Sequence, residues 1–357
     1  MTKRKHVSRS HCRQAPAALM AALLGCVQSI GGAPDEILRS AGATFRFKDI
    51  AEGQAIDIGV DIFARVNRAC NALLREYIEA TGQGRTLNED QFRLMCQCIV
   101  GAPSLGEAIQ MCSSFFSMFE GRIGEIQLET TGAKAVLKIA PYRAAFSEAS
   151  FLIDVYGIAV LHMLFEWLTD QPLTLERADL TCPRARIGAF SLGLFDCPIR
   201  FGQATNSLHF HSACLERPIV RTSADLTKLL RTFPFDLMLG AQEQRPLSEH
   251  IYISMMNAHL HARIMPTVDQ VARQFGISSW TLRRRLAEEG SAYSSIRKKC
   301  QLNLATEFLS RADMTIDEIA DIANFSDASA FRRAFQQWTG RSPSAYREAM
   351  LQAARGG

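Results

Sequence analysis

The chain of 357 residues is 47% apolar and 21% charged, which is typical of a soluble globular protein and argues against disorder outside the ends. It is long enough for two domains that each bury a core. A net charge of +4 permits an acidic partner but does not require one, so the positions of the charges must decide.

The amino terminus combines a basic segment with an apolar run. Five basic residues precede Ala15–Cys26, an order that also begins secretory signal peptides. However, Leu19, Leu23 and Val27 recur at four-residue spacing, which is typical of an amphipathic helix packed on a domain. We favour the helix and assign residues 1–14 to a basic, disordered tail. We expect no membrane span, because no apolar run approaches the ~20 residues required.

The next part of the chain, residues 15–242, predicts a mixture of helices and strands. One helix is indicated by an apolar stripe at Ile62, Val66, Ala69, Leu73 and Tyr77. A second, mostly apolar helix is predicted at residues 151–168. Alternating residues on both sides of Thr131–Gly132 predict a β-hairpin, and further strands are predicted at residues 173–180, 199–202 and 208–211. This mixture predicts an α+β domain.

Ten cysteines are scattered along the chain, with no CxxC pair and no Cys/His cluster at zinc-ligand spacing. On a helix, the neighbouring Cys96 and Cys98 would point well apart. Reduced thiols in a cytoplasm are therefore expected. We predict no metal site and no cofactor.

A polar stretch at residues 240–246 separates this domain from an all-helical remainder. We place the domain boundary after Gln242. Residues 243–265 are then a linker and the first helix of the second domain, residues 266–347 contain an internal repeat, and residues 348–357 are a tail.

The repeat returns after 48 residues (315 − 267), since Thr267–Ser278 matches Thr315–Ser326. Each copy begins with a threonine followed three residues later by Gln or Glu, the pattern of a capping box. Apolar residues then follow at i, i+3, i+4 and i+7, so each predicted helix has one apolar face. The repeat predicts two equivalent helices.

Each of these helices is followed by a residue that tolerates the left-handed conformation, Gly276 in the first copy and Asn324 in the second. Ser278 and Ser326 are then suitable N-caps for a second helix. A helix, a tight turn and a helix form the geometry that presents the second helix to the major groove of double-stranded DNA.

The second helices have an apolar side and a polar side. Leu282 and Leu286, like Phe331 and Phe335, are four residues apart and should face the core. A residue two positions away lies about 200° around the helix and faces outward. The predicted outward set is Trp280, Arg283 and Arg284 in the first unit and Ser329, Arg332 and Arg333 in the second.

A run of arginines is most often an ordinary solvated surface, and an exposed tryptophan sometimes lies at a domain interface. Here the exposed set occurs twice, in matched register after a matched turn. Arginine can pair bidentately with guanine, and tryptophan can contact a thymine methyl group. We therefore predict that these six residues read bases.

Basic residues outnumber acidic ones by thirteen to nine between Arg263 and Arg347, a modest excess of four. Their placement is more informative. Arg297, Lys298 and Lys299 open the helix that joins the two units, where they could reach phosphates.

The closing segment Phe335–Arg347, FQQWTGRSPSAYR, looks very like the signature of the DNA-binding domain of the AraC/XylS family of arabinose-operon regulators. In that resemblance Gly340 ends the second recognition helix, and Pro343 and Tyr346 stand in the tail. The resemblance covers residues 266–347. It implies two helix-turn-helix units joined by a linker helix.

Two residues depart from the family pattern: Asn324 replaces a common turn glycine, and Gln301 stands where the linker helix often has Arg. The second departure puts one stabilising or backbone contact in doubt. The front domain resembles, more weakly, the effector-binding and dimerisation domain of a subgroup, through Cys197–Gly202 and Asn206–His211.

The resemblance implies a cytoplasmic homodimer on paired sites near a promoter, with RNA polymerase as a further partner and no membrane. It implies activation rather than repression. It also implies a small-molecule effector without naming one, and control by a protein partner or by self-association is an alternative.

Some DNA-repair alkyl-transfer proteins resemble a fusion to the same DNA-binding unit. Such an enzyme would need a reactive cysteine in a Pro-Cys-His context or a four-cysteine zinc site. Cys182 and Cys197 each precede a proline instead, and no histidine follows. We therefore predict no enzymatic activity.

Overall fold

The computed structural model describes residues 9–54, 56–140, 143, 147–184, 195–239, 245–262, 264–311 and 313–355. The chain divides into two compact units, the first formed by residues 1–217 with 221–243 and the second by residues 218–220 with 244–357. The predicted boundary after Gln242 lies outside the described residues.

The first unit combines helices with one mixed sheet, so the predicted α+β class is confirmed. Its helices are α1 (Arg9–Ser29), α2 (Pro34–Ser40), α3 (Phe47–Ala51), α4 (Val60–Ala80), α5 (Glu89–Ile99), α6 (Leu105–Ser117), α7 (Glu148–Thr169), α8 (Ser223–Thr232) and α9 (Phe235–Leu239), with a 3-10 turn at Ser212–Glu216. Its strands are β1 (Glu125–Thr131), β2 (Lys134–Ala140), β3 (Leu175–Asp179), β4 (Ile199–Arg200) and β5 (Asn206–His211).

The sheet has the order β1-β2-β5-β3-β4, antiparallel except for the β3–β4 pair. The predicted hairpin is confirmed as β1 and β2, because Ile126, Ala135 and Leu137 alternate onto the buried side. Gly132 supplies the positive φ of 59° that the tight turn requires. The three further predicted strands are β3, β4 and β5.

Helix α1 belongs to the core of the first unit. Leu19, Leu23 and Val27 are fully buried there, as their spacing predicted, and the helix packs against α3, α4 and α9. The helix begins at Arg9, so residues 9–14 are helical although the sequence placed them in a tail. Residues 1–8 lie outside the described part of the chain.

Helix α4 is confirmed, and Val66 of the predicted stripe is fully buried, but the buried face is shifted by about one residue from the predicted one. Leu73 is 39% exposed, whereas Cys70, Leu74 and Ile78 are fully buried. Successive residues differ by about 100° around a helix, so a shift of one position moves the stripe onto the neighbouring face. The face of α4 that is buried in the core of the first unit includes Cys70.

The expectation that no apolar run approaches the length of a membrane span was also wrong. The helix α7 has 22 residues and is apolar enough by length and composition to cross a bilayer. Most of its residues are buried within the first unit, however, and they include Asp154 on an inward face. A central helix surrounded by protein is apolar on all sides for the same reason as a membrane helix.

In the second unit, the described residues from 245 onward form helices and the turns between them. It consists of α10 (Leu247–Ala262), α11 (Val268–Gln274), α12 (Ser279–Glu288), α13 (Tyr293–Leu309), α14 (Ile316–Ile322), α15 (Ala328–Thr339) and α16 (Pro343–Arg355). It has two small cores. One lies between α10, α11, α12 and the start of α13, and the other between the end of α13, α14, α15 and Tyr346.

We predict that Leu23→Ala destabilises the first unit by about 2 to 5 kcal/mol, because the truncation leaves a cavity in a closed core. Urea unfolding of the full chain measures this change. Gln28→Ala, on the exposed side of the same helix, should change stability by less than about 0.5 kcal/mol. Equal stability of Leu23→Ala and the parent would remove α1 from the core.

Candidate nucleic-acid interface

Both repeated helices begin with the predicted capping boxes. The Thr267 amide donates to Gln270 Oε1 at 2.7 Å, and the Gln270 amide donates back to Thr267 Oγ1 at 3.3 Å. In the second copy the Thr315 amide donates to Glu318 Oε2 at 2.7 Å, and the return bond measures 3.2 Å. These reciprocal bonds satisfy amides that the first helical turn leaves open, so α11 and α14 start at equivalent positions.

The two turns close in the same way. Gly276 has φ of 65° and Asn324 has φ of 61°, so both lie in the left-handed region. After each of them an amide bonds back to the helix: Ile277 to the Ala272 carbonyl at 2.9 Å, and Phe325 to the Ala320 carbonyl at 3.0 Å. Asparagine therefore performs at position 324 the conformational role that glycine performs at 276.

The caps of the two second helices differ. Ser278 accepts a hydrogen bond from the Thr281 amide at 3.1 Å, as predicted. Ser326 was predicted to cap the second copy, and this is wrong, because Asp327 accepts from the Ala330 amide at 2.7 Å. The second turn is one residue longer, and the carboxylate that follows the serine is the stronger acceptor. The repeat distance is thus 49 (327 − 278) in the second helices.

With that extra residue, α12 and α15 have the same register. Leu282 and Phe331 both lie four positions after the cap, and Leu286 and Phe335 lie eight positions after it. All four are fully buried. The six predicted outward residues are exposed, with Trp280 at 67%. They are Trp280, Arg283, Arg284, Ser329, Arg332 and Arg333.

Neighbouring side chains hold two of these arginines. The guanidinium of Arg284 lies 5.1 Å from the centre of the Trp280 ring, and its Nε is 3.6 Å from Glu288. Arg332 donates to Asp317 of α14 at 3.1 Å. Both acidic partners are well exposed, so these ion pairs are weak and exchangeable.

The linker helix α13 is attached to the second turn. Gln301 is 8% exposed, and its Nε2 donates to the carbonyls of Ala323 at 3.1 Å and Asn324 at 3.4 Å. Arg297 is half-buried and donates to Asn324 Oδ1 at 3.3 Å. Gln301 thus makes a stabilising contact between the linker helix and the second turn.

The two lysines of the linker helix are exposed and lie over aromatic rings. Lys298 Nζ is 5.5 Å from the centre of the Trp338 ring in α15, and Lys299 Nζ is 4.9 Å from that of Tyr252 in α10. Cation–π contacts of this kind leave an ammonium group free to meet an anion on its other side. Sequence reasoning missed both aromatic partners, because they lie far from the lysines in the chain.

Helix α15 ends at Gly340, which has φ of 75° and whose amide donates to the Gln336 carbonyl at 2.8 Å. Beyond it, the ring of Tyr346 meets that of Phe335 edge-on at 5.3 Å. The residues noted from the family signature thus stop the helix and close the second core.

Glu289 is a further positioning residue that the sequence did not reveal. Its carboxylate accepts from the amides of Leu247 at 2.7 Å and Ser248 at 2.9 Å, at the start of α10. Although partial burial alone would raise it, the pKa of Glu289 lies below its usual value because of these bonds. The end of α12 is thereby tied to the start of α10, a contact that spans 42 residues and leaves no local pattern.

Nine cysteines whose side chains the structure describes are free thiols, and no group of three or more potential metal ligands occurs among the described residues. Burial raises the pKa of Cys182 to about 11 and also raises that of Cys197. Such thiols are poor nucleophiles at neutral pH.

Both units match known protein families. Residues 31–219 match the arabinose-binding domain of AraC transcription regulators, which is the amino-terminal domain of those proteins. Residues 271–349 match a helix-turn-helix domain. The two matches define a transcriptional regulator that binds DNA through its helical unit. The chain belongs to the AraC family of transcription regulators.

The relatives of the chain agree with this assignment. It is 26% identical to the ornithine utilization regulator of Pseudomonas aeruginosa over 94% of this chain and 96% of that protein. It is 35% identical to the transcriptional regulator VqsM of the same species over 23% of this chain and 25% of that one. The crystal structure of the regulator CdpR, also from Pseudomonas aeruginosa, aligns with 82% of this chain and 99% of its own at 20% identity and a TM-score of 0.35. Both relatives from the sequence comparison are transcriptional regulators.

Bonds from the Ala330 amide and the Ser326 hydroxyl lower the pKa of Asp327. A carboxyl group whose pKa falls on folding stabilises the folded chain above its unfolded pKa, and this contribution is lost as the pH falls through the folded value. We expect Asp327→Asn to unfold at lower urea concentration than the parent at neutral pH, and this difference to vanish as the pH falls below the ordinary value of 3.8.

The matched control is Asp321→Asn, an exposed change in the preceding helix. Urea unfolding of both variants and the parent across the pH series measures how each stability difference depends on pH. A difference between Asp327→Asn and the parent that stays constant with pH would contradict the role of the charge.

Proposed function

We propose that the chain is a sequence-specific transcriptional activator that inserts α12 and α15 into two successive major-groove segments of one DNA site. The observation that carries this proposal is the matched exposure of Trp280, Arg283 and Arg284 with Ser329, Arg332 and Arg333 on two helices of identical register. Arginine side chains on such a face can meet guanine edges.

We assign the contacts with the phosphate backbone of the DNA to the linker helix. Lys298 and Lys299 are exposed, and their positive charge favours contact with phosphates. Arg297 belongs to the same proposed set, with its guanidinium already anchored on Asn324. Gly276, Asn324 and Gly340 serve the interface indirectly, since they set where each recognition helix starts or ends.

The proposal extends to the whole chain. Residues 15–242 act as the controlling and dimerising domain, residues 243–265 as the connection and residues 266–347 as the double helix-turn-helix domain. The protein works in the cytoplasm as a homodimer on paired sites and contacts RNA polymerase. Control by a small effector is favoured by the match of the front domain to an arabinose-binding domain.

Replacing either Arg284 or Arg333 by Ala should weaken specific binding by about 1 to 3 kcal/mol and relax the preference at one base pair each. The measurement is a gel-shift titration on sequences that the parent protein selects from a random pool. Arg311→Ala, an exposed change at the end of the linker helix, is the control and should keep the parent's preference. Unchanged affinity and preference in both variants would refute the assignment of the recognition helices.

Changing Lys298 or Lys299 to Gln should instead lower affinity for all sequences alike. Each loss of a phosphate contact should reduce the slope of log affinity against log salt by about 0.9. Fluorescence anisotropy at several salt concentrations gives the slope. Lys228→Gln removes the same charge from an exposed position of the first unit and should leave the slope unchanged. Parental slopes in both linker variants would remove the phosphate role.

A further inference from the structure

The first unit contains a cavity of about 330 Å³. A volume of this size is within the range of small-molecule sites in proteins. Its walls come from α4, α5, α7 and the sheet, and much of its surface is apolar. The apolar walls include Phe92, Ile153, Leu161 and Phe233. The cavity therefore suits a molecule with an apolar body.

One part of the wall is a buried ion pair. The side chains of Arg143 and Asp154 are 1% and 5% exposed. Arg143 Nε donates to Asp154 Oδ2 at 3.2 Å, and Nη2 donates to the other oxygen. The remaining nitrogen, Nη1, is buried and has no hydrogen-bond partner among the described residues. The guanidinium is thus held in place with one donor unused.

A second unused donor lines the same cavity. Asn206 is 1% exposed, and its Oδ1 accepts from the Thr181 amide at 2.8 Å, which fixes the orientation of the amide group. Its Nδ2 is buried and lacks a partner in the part of the chain that the structure describes. A buried donor without an acceptor costs free energy, so two of them at one cavity indicate a missing acceptor.

Three other polar side chains of the wall bond to one another. Tyr156 donates to Asn67 Oδ1 at 3.0 Å, and Asn71 donates to the same oxygen at 3.0 Å. The unused hydrogen-bonding capacity at Arg143 and Asn206 is therefore a local feature, distinct from this neighbouring network.

The charges of the lining favour an anion. Five arginines line the cavity (Arg68, Arg75, Arg85, Arg93 and Arg143) against three acidic residues (Glu89, Glu125 and Asp154), an excess of two positive charges. Arg68 and Arg93 both pair with Glu89, at 3.4 and 3.7 Å. The excess offsets the negative charge that a ligand would add beside Asp154.

We infer that this cavity binds a small organic acid, with an apolar body against the aromatic and aliphatic wall and a carboxylate that accepts hydrogen bonds from Arg143 Nη1 and Asn206 Nδ2. A charged acceptor is favoured because a bond from guanidinium to carboxylate is stronger than one to a neutral oxygen. That such an acid regulates transcription rests on the proposed function, whereas its binding does not.

The first experiment compares matched probes on the full-length protein. Hexanoate, octanoate, decanoate and 3-phenylpropanoate are each tested beside the corresponding amide and amine, with the shift in Tm and titration calorimetry as readouts. At least one acid should raise the Tm and bind at least about tenfold more tightly than its amide and its amine. Absence of a shift with all four acids, or equal shifts with the amides, would overturn the inference and leave a cavity that holds only water.

The second experiment tests the assigned donors with the best acid. Asn206→Asp keeps the oxygen that accepts from Thr181 but replaces the unused donor with an acceptor, so binding should weaken at least about tenfold. Arg85→Gln, at an exposed position of the lining, should weaken binding less, and it remains informative if Asn206→Asp fails to fold. Arg39→Gln is the control for removing an exposed arginine outside the cavity. Parental affinity in both cavity variants would refute the assignment.

DNA binding without any added acid separates the two proposals. If the parent protein selects a DNA sequence but binds no acid, the inference fails and the proposed function stands. If an acid binds as expected but no DNA is selected, the cavity stands and the proposed function fails.

Discussion

The helix α13 belongs to two hydrophobic cores at once, and the DNA-binding unit depends on this sharing. Its first half places Ile296 and Cys300 in the core of the first helix-turn-helix, and its second half places Leu309 in the core of the second. Phe308 packs against both cores. Each small core alone is close to the lower limit of what can fold, so a common helix lets each stabilise the other. The hydrogen bonds from Gln301 to the second turn add directional contacts to this apolar packing.

Much of the second unit could be predicted from the sequence because its signals are local. A capping box needs four consecutive residues, and a left-handed turn needs one residue of the right type. In both copies the first helix therefore begins at the predicted capping box and ends at the predicted left-handed turn. The cap at Asp327 was missed because the two copies were aligned through the turn without a gap. Only the positions of Phe331 and Phe335 show that the second turn contains one extra residue.

Features formed by distant residues could not be found in this way. The bonds from the α10 amides to Glu289, and the stacking of Lys298 on Trp338, join segments that are about 40 residues apart. In the first unit the stripe on α4 was assigned to the neighbouring face, because periodicity alone does not say which of two adjacent apolar faces meets the core. The buried pair of Arg143 and Asp154 had no signal in the sequence, since charged residues are normally expected at the surface.

The magnitudes of the contacts around the recognition helices bear on how the proposed complex would form. The pairs of Arg284 with Glu288 and of Arg332 with Asp317 are solvent-exposed, and such pairs contribute about 0 to 1 kcal/mol. A bidentate arginine–guanine contact contributes about 1 to 3 kcal/mol of discrimination. The exchange of a carboxylate for a base edge is therefore favourable at a matching site. Because each carboxylate competes with DNA for its arginine at every sequence, only a base edge that binds the guanidinium more strongly than the carboxylate does would displace the ion pair.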